Sequence, residues 1–172
     1  MNEQDISNAV KAVLEGMNAN GSHHAQGHVC KCKKNKMTLD KANSLIDKVK
    51  AKAETMGLNV VVAVADAAGR PVAVQSMDGA YIASFDIALN KSFTSSLKMS
   101  TAKLAELSQP GKELYGIQFT NEGKIVIFGG GEVLEADGKI IGALGVSGGS
   151  AKEDTELAAY GKEAFKEVLA CL

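Results

Sequence analysis

The apolar positions along the chain divide it into three zones. Residues 1–17 carry apolar side chains at helical spacing, which predicts a short amphipathic helix. Residues 18–36 are polar and contain almost no large apolar side chain, which is typical of a flexible linker. Apolar residues recur throughout residues 37–172, so this zone predicts one folded domain.

The apolar runs of residues 37–172 alternate between helical and strand periods. The predicted helices lie between Thr38 and Gly57, over about 81–97, at 101–107 and over about 151–169, and the predicted strands are 60–65, 71–75, 124–128, a strand beginning at 132–135, and 139–146. This order is not the regular alternation of a doubly wound parallel sheet. The predicted fold class is therefore α+β, with an antiparallel sheet between helices in α/β/α layers and the helix of residues 1–17 attached by the linker.

Charge and hydropathy exclude two classes of partner. The net charge is −1 and Arg70 is the only arginine, whereas arginine is the usual side chain for reading phosphate and guanine. No apolar run approaches the roughly 18–20 residues that cross a bilayer. Residues 1–5 lack the basic start of a secretory signal. We therefore expect a cytoplasmic protein that binds neither nucleic acid nor membrane, with its cysteines as thiols or metal ligands.

Several ordered segments of residues 37–172 resemble the GlcG/HbpS/PduO-C-terminal family. They are residues 64–70, 77–80, 88–94, 110–117, 128–131 and 140–150, the last followed by Asp154. The resemblance implies a profilin-like fold, a homo-oligomer ranging from dimer to octamer, and haem or a related tetrapyrrole as the ligand. Residues 37–172 are similar in particular to the C-terminal domain of PduO-type cobalamin adenosyltransferases. The adenosyltransferase domain has no counterpart in this sequence, so we do not expect that activity.

Residues 1–17 resemble the encapsulation peptides of bacterial microcompartment cargo. A helix this short is unstable alone in water and would order by laying its apolar face in a partner's groove. The expected partners are microcompartment shell or cargo proteins, and the expected location is inside the microcompartment. The alternative is that this helix packs on its own domain or on a sister subunit.

Residues 18–36 contain all three histidines and two of the three cysteines. His28, Cys30 and Cys32 are ligand types that suit a transition metal or haem iron. Zinc sites usually space their cysteines two to four residues apart, so the Cys-x-Cys pattern departs from the usual knuckle. The alternative is an exposed linker whose thiols bind nothing.

The folded zone offers its own candidate contacts for a ligand. They are Lys91, Thr94, Tyr115, Gly148 and Gly149. A strand that turns into a helix N-terminus at Gly148-Gly149 can bind an anion such as a propionate, although glycine there more commonly supplies a positive φ. Asp66 and Asp78 are further polar residues within the apolar motifs and could also line a pocket. The alternatives give these two aspartates turn-capping roles and make Lys91 a solvated helix residue.

The absence of histidine from residues 37–172 limits both haem ligation and catalysis. An axial ligand would come from the linker or from Tyr81, Met99 or Tyr115. No Ser-His-Asp set can be assembled in this zone. The sequence therefore favours a non-catalytic haem or tetrapyrrole protein, delivered to a microcompartment for redox or cofactor maintenance. The alternatives are a ligand-free accessory protein that binds a signature enzyme or the shell, and an enzyme acting on a corrinoid or small metabolite.

Overall fold

A four-stranded antiparallel sheet forms the middle layer of the structure, a computed structural model that describes residues 35–171. Its strands are β1 (Val61–Asp66), β2 (Pro71–Ser76), β3 (Gly131–Ala136) and β4 (Lys139–Ser147), in the order β2-β1-β4-β3. The helices are α1 (Leu39–Thr55), α2 (Ser84–Ser95), α3 (Thr101–Leu107) and α4 (Ala151–Cys171). The predicted α+β class is confirmed. The helix expected at 1–17 and the linker as far as residue 34 lie outside the described residues.

Helices α1 and α4 pack against each other and cover one face of the sheet. The Thr38 hydroxyl caps α1 by accepting a hydrogen bond from the Lys41 backbone N–H at 3.3 Å, and Gly57 follows the helix with a φ of +68°. The residues that fill this core are Ala42, Leu45, Ile46, Val49 and Ala53 from α1, and Leu157, Ala158, Phe165 and Val168 from α4. The apolar positions of α1 therefore form its buried face.

Helix α2 covers the opposite face, and it lies unusually close to the sheet. Val62 and Val64 point into the core beneath α1, whereas Val61 and Ala63 pack against Ala88 of α2. This two-sided burial explains the continuous apolar run of β1. A Cβ added at Gly145 would collide with the Ala88 carbonyl oxygen, so the helix rests directly on the strand backbone.

Two predicted elements differ from the structure. Residues 124–128 form no strand, and that prediction is wrong. Ile125 and Val126 are buried there, but the Val126 N–H donates to the Thr94 hydroxyl of α2 at 3.0 Å instead of to a neighbouring strand. Helix α2 is also shorter than the predicted 81–97, because Tyr81 and Ile82 belong to the turn that precedes it. No helix among the described residues is long and apolar enough to span a bilayer.

Candidate functional site

A buried lysine lies at the end of the sheet between α2 and α4. Lys91 has none of its surface exposed. Its Nζ donates to Asp154 Oδ2 at 2.6 Å and to the Val146 carbonyl oxygen at 2.8 Å. The Phe128 ring lies over the ammonium, with 4.9 Å between Nζ and the ring centroid. The interpretation of Lys91 as a solvated helix residue is therefore wrong.

Asp154 connects this lysine to the loop that follows β4. Its Oδ1 accepts hydrogen bonds from the backbone N–H groups of Gly148 at 3.1 Å and Gly149 at 2.9 Å. The carboxylate is 2% exposed, so both of its oxygens are removed from bulk water. One ion pair thus joins α2, the end of β4 and the first turn of α4.

The N-terminus of α4 is closed by its own side chains. The Ser150 N–H donates to Glu153 Oε2 at 2.8 Å, and the Glu153 N–H donates to Ser150 Oγ at 3.3 Å, which is a reciprocal capping box. The hydrogen bonds from Ser150 lower the pKa of the Glu153 carboxyl. The N–H groups of residues 148–150 therefore have acceptors within the chain.

Burial and pairing act in opposite directions on Lys91. Burial lowers the pKa of its ammonium because a low-dielectric surrounding disfavours charge. The hydrogen bond and the charge of Asp154 oppose that shift. The charged form of Lys91 is therefore stabilised in the site by one carboxylate, that of Asp154.

The candidate contacts fall into two places. Lys91, Gly148 and Gly149 meet through Asp154. Thr94 is fully buried one turn further along α2, where its hydroxyl donates to the Asn90 carbonyl oxygen at 2.7 Å and accepts from Val126. Tyr115 lies in the segment between α3 and β3, and 64% of its surface is exposed.

The sequence interpretation omitted two members of this cluster, Asp154 and Phe128. Asp154 occupies the first turn of α4, where an acidic residue is ordinarily explained by the helix dipole. The signal for its other role was the match of residues 140–150 with Asp154 following them. No sequence signal placed Phe128 over Lys91.

The proposed metal ligands His28, Cys30 and Cys32 lie outside the described residues. Within residues 35–171, no group of three or more histidine, cysteine or acidic side chains is placed to hold a metal ion. Asp66 has the turn role given as its alternative, since its Oδ1 accepts from the backbone N–H groups of Ala68 and Arg70.

Large apolar side chains are exposed at the start of α2. Ile82 is 89% exposed, and its neighbours Tyr81 and Phe85 are also exposed. Phe119, in the segment that also carries Tyr115, is another exposed aromatic residue. Isolated apolar residues are ordinary on surfaces, but neighbouring ones mark a surface suited to a partner or an apolar ligand.

Comparison with known proteins agrees with the fold and the motifs. The chain is 42% identical over 133 residues to an uncharacterised 15.0 kDa protein of Citrobacter freundii, covering 77% of this chain and 94% of that protein. It is 39% identical over 108 residues to the corrinoid adenosyltransferase PduO of Salmonella typhimurium, covering 62% of this chain but only 32% of that enzyme.

A solved structure extends the comparison to three dimensions. The structure described as the PduOC:heme complex matches with a TM-score of 0.72 and 34% identity, covering 75% of this chain and 94% of that one. The model of the family described as haem degrading protein HbpS-like matches residues 37–163. The resemblance inferred from the sequence motifs is confirmed, and the chain belongs to the HbpS-like family.

Proposed function

We propose that the protein binds haem or a related tetrapyrrole and holds it without chemical turnover. The observation that carries this proposal is the 34% identity to the PduOC:heme complex over 94% of that chain, at a TM-score of 0.72. Similarity at this level favours a shared ligand class, because the match extends over nearly the whole of the haem-binding relative.

The described residues include an exposed apolar surface that suits a tetrapyrrole. Tyr81, Ile82 and Phe85 form an exposed apolar group that can bury a planar macrocycle. Bound haem would supply a one-electron redox centre. The protein's part is to bury the macrocycle and exclude water, with the iron ligated by His28, Cys30 or Cys32, or by Tyr81, Met99 or Tyr115.

A hemin titration of two chains tests the proposal. The full-length protein and a truncated chain beginning at Met37 are titrated while the Soret band is recorded. If both chains saturate at one haem per subunit or per dimer, the site lies in residues 37–172. Saturation of the full-length chain alone assigns ligation to residues 18–36. If neither spectrum changes, haem binding is refuted and the ligand-free accessory protein becomes the better explanation.

Three substitutions separate the proposed ligands of the linker. His28→Ala, Cys30→Ser and Cys32→Ser should each shift the Soret maximum if that side chain ligates the iron. Cys171→Ser is the matched control, because Cys171 is an exposed thiol at the far end of α4. The same variants, titrated with Co²⁺ in place of haem, test whether the segment binds a transition metal by itself. Loss of the thiolate-to-cobalt charge-transfer bands in Cys30→Ser and Cys32→Ser, and a shift of the cobalt d–d bands in His28→Ala, with no change in the control, would assign the metal site.

Delivery to a microcompartment by residues 1–17 is the second part of the proposal. It is supported by the amphipathic pattern of these residues and by the polar segment that follows them. A fluorescent protein fused to residues 1–17 should co-purify with shell components. The chain that lacks residues 1–17 should not. Equal recovery of both chains would show that another surface is responsible, or that the helix packs on its own oligomer.

A homo-oligomer is the third part of the proposal, and the neighbouring exposed side chains of Tyr81, Ile82 and Phe85 support it. Sedimentation of the full-length protein, with and without haem, measures the oligomeric state. A monomer under both conditions would refute this part without affecting haem binding.

Haem degradation is the competing function, and the name of the HbpS-like family as haem degrading proteins favours it. The two are separated by following the saturated complex over time in the presence of ascorbate and oxygen. A stable Soret band supports a binding protein. A Soret band that decays with the appearance of a bile-pigment absorption, with catalase present and more than one haem consumed per chain, would make the protein an enzyme.

A further inference from the structure

The Lys91 ammonium has three N–H donors but only two hydrogen-bond acceptors among the described residues. Asp154 Oδ2 and the Val146 carbonyl oxygen take two of them. The remaining partner is the Phe128 ring, a weaker partner for a cation than an oxygen. A fully buried ammonium with an unused N–H is uncommon, since buried polar groups are almost always satisfied.

Two further donors follow Phe128 in the chain, and one of them belongs to the glycine that lies beside this ammonium. Gly129 and Gly130 are buried, and within residues 35–171 neither backbone N–H donates to an acceptor. Gly130 has a φ of +113°, and a Cβ built there would come within 2.5 Å of Lys91 Nζ. The glycine backbone therefore lies directly against the ammonium, and consecutive N–H groups in such a loop are suited to an anion.

The Phe128 ring covers the Lys91 ammonium. Its side chain is 42% exposed, although the lysine beneath it is completely buried. The ring that lies over the ammonium is therefore itself in contact with solvent.

The charges around the ammonium limit the kind of anion it can accept. Asp154 lies on the far side of Lys91, where its oxygens accept from the ammonium, Gly148 and Gly149. Glu153 is bound to Ser150 in the same turn. Because the lysine and Asp154 together carry no net charge, the pair cannot compensate a second buried charge, so a singly charged, planar carboxylate is favoured over a doubly charged phosphate.

We propose that Phe128 covers a carboxylate-binding site formed by the Lys91 ammonium and the backbone N–H groups of Gly129 and Gly130. The carboxylate comes either from a propionate of a tetrapyrrole or from a small free carboxylic acid. The first source rests on the proposed function, whereas the second is independent of it.

Amide NMR spectra of the full-length protein test the site directly. Titration with sodium propionate should move the Gly129 and Gly130 amide signals saturably. Phe128→Ala removes the cover but keeps the ion pair, so it should lower the dissociation constant by about tenfold. Phe119→Ala is the matched control, because it removes an exposed aromatic ring from another segment and should leave the dissociation constant unchanged.

Two diamagnetic porphyrins identify the source of the carboxylate. Zinc protoporphyrin IX should move the same two amides if a propionate enters the site, and its dimethyl ester should not. A response to sodium propionate alone would assign the site to a small carboxylic acid. The proposal is overturned if neither probe moves these amides, or if Phe128→Ala and Phe119→Ala respond alike. Normal hemin binding by Phe128→Ala in that case would leave the proposed function standing.

Discussion

Replacing Asp154 with alanine removes the acceptor of three hydrogen bonds and the counter-charge of a fully buried lysine. Removing one partner of a buried ion pair costs about 3–5 kcal/mol, because the other charge is left uncompensated. The Gly148 and Gly149 N–H groups also lose their acceptor, but both glycines are half-buried, so water can replace part of it. We therefore expect the free energy of unfolding to fall by about 3–5 kcal/mol.

A double substitution separates charge from shape at the same site. Asp154→Asn keeps an oxygen for the glycine N–H groups but leaves the Lys91 charge unpaired. Lys91→Met with Asp154→Asn removes both charges while retaining most of the volume. The double variant should therefore be more stable than Asp154→Asn alone, with a coupling energy of about 1–3 kcal/mol.

Urea unfolding at pH 7, followed by circular dichroism, measures all of these differences. Glu163→Ala is the control, because Glu163 and Lys166 form a surface pair whose side chains are 66% and 70% exposed. Its free energy of unfolding should fall by less than about 1 kcal/mol. A loss below about 1 kcal/mol for Asp154→Ala would refute the reasoning, since it would equate a buried pair with a surface one. A double variant no more stable than Asp154→Asn would also refute it.

Three further substitutions test features around the site. The hydrogen bonds from Ser150 in the folded protein lower the pKa of Glu153 from its usual 4.5. The stabilisation by the ionised carboxylate is therefore present above that pH and is lost as pH falls through the folded pKa. The difference in stability between the unsubstituted protein and Glu153→Gln should accordingly disappear in acid unfolding curves. Gly145→Ala should cost about 1–3 kcal/mol in thermal unfolding, because α2 must move away from the strand, and a loss below about 0.5 kcal/mol would contradict this. Thr94→Val leaves the Val126 N–H without its acceptor and should cost about 1–3 kcal/mol in urea, whereas Thr94→Ser should cost less; equal losses would assign the effect to packing.

The helices and strands with strong periodic patterns could be predicted from the sequence. Thr38 and Gly57 marked the two ends of α1 because a hydroxyl cap and a positive φ are local requirements. The run from Val60 to Ala65 indicated a strand covered on both faces, and the structure covers it by α1 and α2. These predictions succeeded because each depends on neighbours along the chain.

The segment from Lys124 to Phe128 shows why other elements could not be predicted. Its apolar side chains favour a strand, and Ile125 and Val126 are indeed buried. The partner of the Val126 N–H, however, is the Thr94 hydroxyl, which lies 32 residues earlier in the chain. A strand and an extended segment that packs beside a helix have the same local pattern, so only the tertiary contact distinguishes them.

The burial of Lys91 follows from the same kind of long-range contact. Helix α2 can approach the sheet closely because Ala88 and Ser92 meet Gly145, which has no side chain to hold them apart. At that separation the lysine side chain reaches the end of β4, where Gly130 leaves room for its ammonium. The glycines and the ion pair therefore depend on one another, because a side chain at either glycine would displace the helix or the ammonium. Any ligand bound through Lys91 would consequently depend on small residues in three separate elements, which a pattern within one helix does not reveal.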